Sequence, residues 1–260
     1  MNLTNKRVLI TRPRAQAEGF ARALKAAGAE PIFFPVIEII PPDDYLALDF
    51  AIRSLEQFDW LVFTSVHGVE AFFKRFEALG IERIPAGLRV AAVGSRTARF
   101  LSKHGLCTDQ IPNEYIAEAM LPDFGKNIYG KRFLLPQSNL ARTVLANEIR
   151  SAGGLVTEVV AYRNRLSEPN NSEINALRSG VDIVTFTSPS TVRNFITVVQ
   201  QHELDPFNLP GNPIFACIGP TTQQAAEEAG FSNLVVSSEY TTAGLIETLD
   251  NLIYTNVQEP

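Results

Sequence analysis

Asp59-Trp60-Leu61-Val62-Phe63-Thr64-Ser65 is followed 123 positions later by Asp182-Ile183-Val184-Thr185-Phe186-Thr187-Ser188, nearly the same stretch written a second time. Each copy opens on an aspartate, continues through four apolar or β-branched residues and closes on Thr-Ser. A run of that length and type is a short buried strand, and Ser or Thr just after it is a helix start. The doubling extends outward in both directions. Upstream, Val8-Leu9-Ile10 matches Phe133-Leu134-Leu135 at an offset of 125, and the next helix keeps that offset through Phe20/Leu145, Leu24/Ile149, Ala27/Ala152 and Gly28/Gly153. These positions recur every three or four residues, the buried stripe of an amphipathic helix, with a glycine where its C-terminus needs a left-handed residue. Downstream, Phe72-Phe73 matches Phe195-Ile196, Val90-Ala91-Ala92-Val93-Gly94 matches Phe215-Ala216-Cys217-Ile218-Gly219, and Glu114-Tyr115 matches Glu239-Tyr240. Repeated strand-turn-helix units imply an α/β chain with two similar domains, each a small parallel sheet flanked by helices. Ligands of such sheets bind beyond the carboxyl ends of the strands.

Those strand ends carry small polar turns: Thr11-Arg12-Pro13-Arg14, Thr64-Ser65-Val66-His67-Gly68, Gly94-Ser95-Arg96-Thr97, Pro136-Gln137-Ser138, Thr187-Ser188-Pro189-Ser190 and Gly219-Pro220-Thr221-Thr222. Helix capping alone accounts for any one of these hydroxyls. Their number supports a second role, because free N–H groups at several helix N-termini attract carboxylates and phosphates. The expected ligand is a small molecule with several anionic groups. Arg12 and Arg14 offer guanidinium contacts to carboxylates, or are surface arginines of a first helical turn. His67 falls in a candidate ligand loop; His104 ends a helix, where a cation is favoured for structural reasons.

Composition narrows the function classes. In 260 residues, 45% hydrophobic and 20% charged content is that of an ordinary globular chain, and a net charge of -5 without a basic stripe makes nucleic acid a poor partner. No apolar run is long enough to span a bilayer, and the opening residues hold no signal-type apolar region, so a reducing cytoplasm is the expected setting and a monomer the default. Cys107 and Cys217 are too few for a disulfide framework, and no histidine has metal-ligand spacing. Neither G-x-G-x-x-G after a strand nor G-x-x-x-x-G-K-[ST] occurs, which argues against a dinucleotide and against P-loop chemistry.

At Val8-Leu9-Ile10-Thr11-Arg12-Pro13, Phe63-Thr64-Ser65, Val93-Gly94, Ala161-Tyr162-Arg163, Phe186-Thr187-Ser188-Pro189 and Ile218-Gly219-Pro220-Thr221-Thr222 the chain resembles the uroporphyrinogen-III synthase family, in order and over its whole length. The resemblance implies a cyclising hydro-lyase without cofactor or metal. Its substrate would be hydroxymethylbilane, a linear tetrapyrrole with eight carboxylates, closed with inversion of ring D and loss of water. Tyr162 would be the catalytic acid that helps the hydroxyl depart. Arg12, Arg14, Thr64, Ser65, His67, Ser95, Ser188, Thr221 and Thr222 would bind substrate. Gln137 stands where the family often has arginine. The competing reading is a non-catalytic two-domain binding or sensor protein for a polyanion, since a cleft between α/β lobes is shared by many binders.

The repeat alone suggests two successive domains, near 1–126 and 130–260. The resemblance implies instead that each copy's first strand and helix join the other copy. Domain one would then comprise 1–37 and 166–260, domain two 41–161, and a two-crossing β linker 38–40 and 162–165. The extended, β-rich stretches 32–42 and 156–166 suit such crossings, which would act as a hinge beside a shared cleft.

Overall fold

A computed structural model describes residues 3–108, 124 and 128–258, with side chains described to 252. The chain enters through strand β1 (Arg7–Ile10), helix α1 (Arg14–Ala26), β2 (Glu30–Phe33) and β3 (Ile37–Ile40). It continues through α2 (Leu46–Arg53), a 3-10 turn (Leu55–Gln57), β4 (Trp60–Phe63), α3 (Val66–Ala78), β5 (Arg89–Ala92) and α4 (Ser95–Lys103). After the residues around 109–127 come β6 (Arg132–Ser138), α5 (Val144–Ser151), β7 (Leu155–Leu166), α6 (Asn171–Arg178), β8 (Ile183–Phe186), α7 (Pro189–Gln201), β9 (Ile214–Cys217), α8 (Pro220–Glu228), β10 (Leu234–Val236) and α9 (Thr242–Gln258). Glu114-Tyr115, one half of the last repeat block, lies outside the described residues.

The chain forms two compact units, one of residues Met1–Glu38 with Arg165–Pro260, the other of Ile39–Asn164. The first holds a sheet in the order β10-β9-β8-β1-β2, the second a sheet in the order β3-β7-β6-β4-β5. In the first, β1 pairs in parallel with β2 and β8, and β9 with β8 and β10. In the second, β4 pairs in parallel with β5 and β6, and β6 with β7. The matched strands of the two copies therefore sit beside one another's partners: β1 of the first copy lies against β8 of the second, and β6 of the second lies against β4 of the first.

Each sheet is covered on both faces, which is why its central strands are apolar throughout rather than alternating. Successive side chains still point to opposite faces. Val8 and Ile10 pack with Phe20 and Leu24 of α1 and Leu245 and Leu249 of α9. Leu9, between them, packs with Phe186, Phe195 and Phe215 on the other side. The second unit repeats the scheme: Phe133 and Leu135 pack with Leu145 and Ile149, while Leu134 faces Phe63, Phe72 and Phe76. The two helix-ending glycines adopt the left-handed backbone expected of them, Gly28 at φ +87 and Gly153 at φ +86.

The aspartates that open the repeated stretch have one shared function. Asp182 accepts from the Arg7 backbone N–H at 2.8 Å and from Lys6 Nζ at 3.0 Å, tying the start of β8 to the start of β1. Asp59 accepts from the Arg132 backbone N–H at 2.8 Å and from Lys131 Nζ at 2.7 Å, tying β4 to β6. Burial pushes both carboxyls up, but the donors outweigh it and hold them below the ordinary aspartate value.

One expectation is corrected here. Pro136-Gln137-Ser138 is not a helix-opening turn: β6 runs through Ser138, and residues 139–143 precede α5. Pairing of β6 with β4 ends at Leu134, so that side of the strand is open at Pro136, where a residue without an N–H is tolerated. Tyr162 lies inside β7, opposite Ser138, within the extended stretch expected at 156–166.

Candidate functional site

In the inserted unit, β4 delivers Thr64 and Ser65 to the carboxyl end of the sheet, both half-buried. Ser65 is the N-cap of α3, its Oγ accepting from the Gly68 backbone N–H at 3.0 Å. The same Oγ lies 3.1 Å from the hydroxyl of Tyr162, which β7 brings to this end of the sheet. Gly68 makes the approach possible. A Cβ there would sit 2.8 Å from the carbonyl oxygen of Pro136, so any larger residue would lift the first turn of α3 off β6. Tyr162 is 8% exposed and packs in the core cluster beneath α3, leaving its hydroxyl at the edge of that core.

His67 is in the first turn of α3 rather than in a loop, because the Ser65 cap starts the helix at Val66. Its ring meets that of Tyr162 edge-on, centroids 5.8 Å apart and planes at 60°. Its Nδ1 is 3.5 Å from Glu70 Oε2. Burial pushes the imidazole below its ordinary value, with Glu70 opposing and the charge of Arg96 adding to the fall. On the next strand, Gly94 takes φ +88 as the N-cap of α4 and presents Ser95, half-buried, as the first helical residue.

In the other unit the corresponding strand ends carry Arg12, Arg14, Ser188, Thr221 and Thr222. Ser188 repeats the capping of Ser65: its Oγ accepts from Thr191 N–H at 3.3 Å and lies 2.8 Å from Ser190 Oγ. Thr191 returns the bond to the Thr187 and Ser188 N–H groups. Arg12 precedes the helix and donates to Gln16 Oε1 at 2.9 Å. Arg14 is an ion-pair partner of Glu173 on α6 and lies 5.0 Å from the Phe33 ring centre. That pairing binds α1 to α6 and supports the surface-arginine reading. Thr221 is exposed on the first turn of α8, whereas Thr222, 3% exposed, is packed inside the unit, as is its repeat counterpart Thr97. The strand ends of this unit thus offer Arg12, Ser188 and Thr221 but bury Thr222.

Three residues at these strand ends were not among the expected site residues. Arg96, on the first turn of α4, and Arg142, between β6 and α5, are exposed and have no ion pair with a carboxylate among the described residues. Tyr240, exposed beyond β10, lies against the backbone of Gly219 at the start of α8. The repeat pairing of Glu239-Tyr240 was the signal for Tyr240; Arg142 had none, because Pro136-Gln137-Ser138 occupied its place in the turn inventory. Among the described residues no three His, Cys, Asp or Glu side chains form a metal-ligand group, and no helix is long and apolar enough to cross a membrane.

Comparison with known proteins bears on the chain from end to end. The family model described as uroporphyrinogen-III synthase HemD matches residues 18–247. A uroporphyrinogen-III synthase of Synechococcus elongatus is 34% identical over 252 residues, covering 95% of this chain and 96% of that protein. One from Chlorobaculum parvum is 30% identical, covering 86% and 90%. Among solved structures, a uroporphyrinogen III synthase of Thermus thermophilus superposes with a TM-score of 0.66 at 22% identity, covering 96% of this chain and 99% of that one. That of Helicobacter pylori gives 0.64 at 20% identity, covering 95% and 99%. The two structures speak to the two-sheet α/β fold.

Proposed function

Since the chain belongs to the uroporphyrinogen-III synthase family, we propose that it closes hydroxymethylbilane to uroporphyrinogen III as a cofactor-independent lyase, with Tyr162 as the proton donor to the departing hydroxyl. Uroporphyrinogen-III synthesis, a step of tetrapyrrole biosynthesis, is the activity the family brings to this chain. The finer assignments rest on the local geometry.

The observation that carries the assignment is the 3.1 Å contact between Tyr162 Oη and Ser65 Oγ. Ser65 Oγ already accepts from the Gly68 N–H, so its own proton is available to donate to the phenol oxygen. In that arrangement the phenol proton is directed away from Ser65. As the terminal hydroxyl of the bilane leaves, it takes this proton and departs as water, and the Ser65 hydroxyl stays bonded to the phenolate oxygen left behind. The azafulvene so formed is attacked by the substituted carbon of ring D. The spiro-pyrrolenine then fragments and recloses with ring D inverted, returning a proton to the site. Assistance of this kind contributes roughly 10²–10⁴ in rate. The remaining work is conformational: holding the open chain so that closure without inversion does not compete. Arg12, Thr64, Ser95, Ser188 and Thr221, with the N–H groups of the helices they open, are the carboxylate donors of this reading, and Ser65 serves Tyr162 instead. Helix N-termini favour anions without requiring a basic chain.

The test is the product. Hydroxymethylbilane generated enzymatically and supplied to the chain is expected to yield the type III isomer, and Tyr162→Phe to lower kcat about 10²-fold or more with a much smaller change in KM. Type I product alone would reject the activity, and an unimpaired Tyr162→Phe would reduce Tyr162 to a packing residue.

A further inference from the structure

His67 stands between two partners, in a place where burial favours the neutral imidazole and Glu70 the charged one. On one side is the phenol ring of Tyr162, met edge-on with centroids 5.8 Å apart. On the other is the Glu70 carboxylate, 3.5 Å from Nδ1 and largely in solvent, whose attraction for the ring grows when the imidazole is protonated. We propose that His67 is a positioning residue for Tyr162: as a neutral ring it holds the phenol against Ser65, and on protonation it is drawn off toward Glu70 and releases it.

This deepens the proton-donor assignment of Tyr162 and rests on it. Geometry makes the coupling short. Ser65 caps the helix on whose first turn His67 sits, and Ser65 Oγ is the partner of the Tyr162 hydroxyl, so cap, ring contact and phenol bond share one turn of backbone. Close packing at Gly68 against the Pro136 carbonyl leaves that turn little room to shift, so the side chain moves rather than the helix. Among the described residues, the groups facing the imidazole include Tyr162 from β7, Glu70 from its own helix and the charge of Arg96 from α4. Burial and Arg96 disfavour the imidazolium while Glu70 favours it, which places the switch below the ordinary histidine value of about 6.5.

The experiment is a kcat–pH profile of the full chain with product isomers resolved, for the wild type, His67→Gln, Glu70→Gln and Tyr162→Phe. The wild type is expected to lose about tenfold in kcat per pH unit below the midpoint. His67→Gln, whose fold is checked by thermal unfolding, is expected to lose that acid limb. Glu70→Gln is expected to move it to lower pH. A limb that stays in place in His67→Gln overturns the proposal. A second reading needs neither substrate nor variant stability: in proton NMR of the wild type, the Tyr162 ring signals should shift with the same midpoint as His67, and ring signals indifferent to that titration would equally overturn it. The two failures separate. Unimpaired Tyr162→Phe sinks the proton-donor assignment, whereas impaired Tyr162→Phe with an unmoved limb in His67→Gln sinks the coupling alone.

Discussion

A serine at a helix start is ordinarily worth about 1 kcal/mol as a cap, and Ser65 and Ser188 both serve that way. What distinguishes Ser65 is its second neighbour, the Tyr162 hydroxyl, supplied by a strand 97 positions along the chain. The cap was readable from residue type and spacing; the neighbour was not, because local pattern says nothing about which distant side chain ends at the same place. Arg14 shows the same limit from the other side. Its charge suggested a carboxylate ligand, and the carboxylate it meets is Glu173 of its own chain, 159 positions away. The two cysteines allow a direct check at this scale. Cys217 is wholly buried, and burial, with Glu227 nearby, pushes its thiol up to about 12; Cys107 is exposed. A thiolate alkylating reagent at pH 8 is therefore expected to modify Cys107 in the native chain and to reach Cys217 only after unfolding, as peptide mass mapping would show. Labelling of Cys217 at native rates would mean that β9 opens.

At the level of elements, the aspartate–strand ties are the most regular feature of the molecule. Each fixes the register of two strands that lie far apart in sequence by binding a backbone N–H and a lysine at once. Asp182→Ala is expected to cost about 1–2 kcal/mol, a charge-assisted bond discounted for partial exposure, read as a lower midpoint in urea unfolding. The pH dependence follows from the direction of the shift. A carboxyl held below its unfolded value of about 3.9 contributes fully above that pH and loses the contribution as pH falls through its folded value. The gap between wild type and Asp182→Ala should therefore be widest near neutrality and begin to narrow as pH falls below about 3.9. A gap independent of pH would assign the loss to something other than the carboxylate. The element pattern itself was legible: strand, turn and amphipathic helix recur at nearly constant offset, and the glycine-ended helices fall where the pattern puts them. The exception was β6, whose extension through Pro136 to Ser138 depends on the open side left when pairing with β4 ends. No local signal announces that.

On the scale of the whole chain, the repeat left one question open. β1 carries the same apolar pattern and the same preceding lysine and arginine as β6, while β4 and β8 offer the same aspartate. Either copy would satisfy the other's chemistry, so the periodicity could not decide between successive and exchanged halves; the family resemblance suggested exchange. The sheets, β8 against β1 and β4 against β6, make the two ways of cutting the chain unequal. Residues 37–166 contain every strand of one sheet and are expected to fold alone, with a cooperative unfolding transition and native-like circular dichroism. Residues 1–126 and 130–260 each divide both sheets and are expected to show neither. A cooperative 1–126 fragment would contradict the pairing.

The same exchange orders events as the chain is made. Everything the inserted unit needs has left the ribosome soon after Asn164, so it can close early, around strands at most moderately separated. Strand β1 and helix α1, though made before that unit, must wait: Arg7 meets Asp182 only 175 residues later, and Phe20 and Leu24 gain their α9 neighbours only when Leu245 and Leu249 arrive. An element made before the inserted unit thus completes its burial after it, and part of its apolar stripe is on offer to chaperones until α9 has been made.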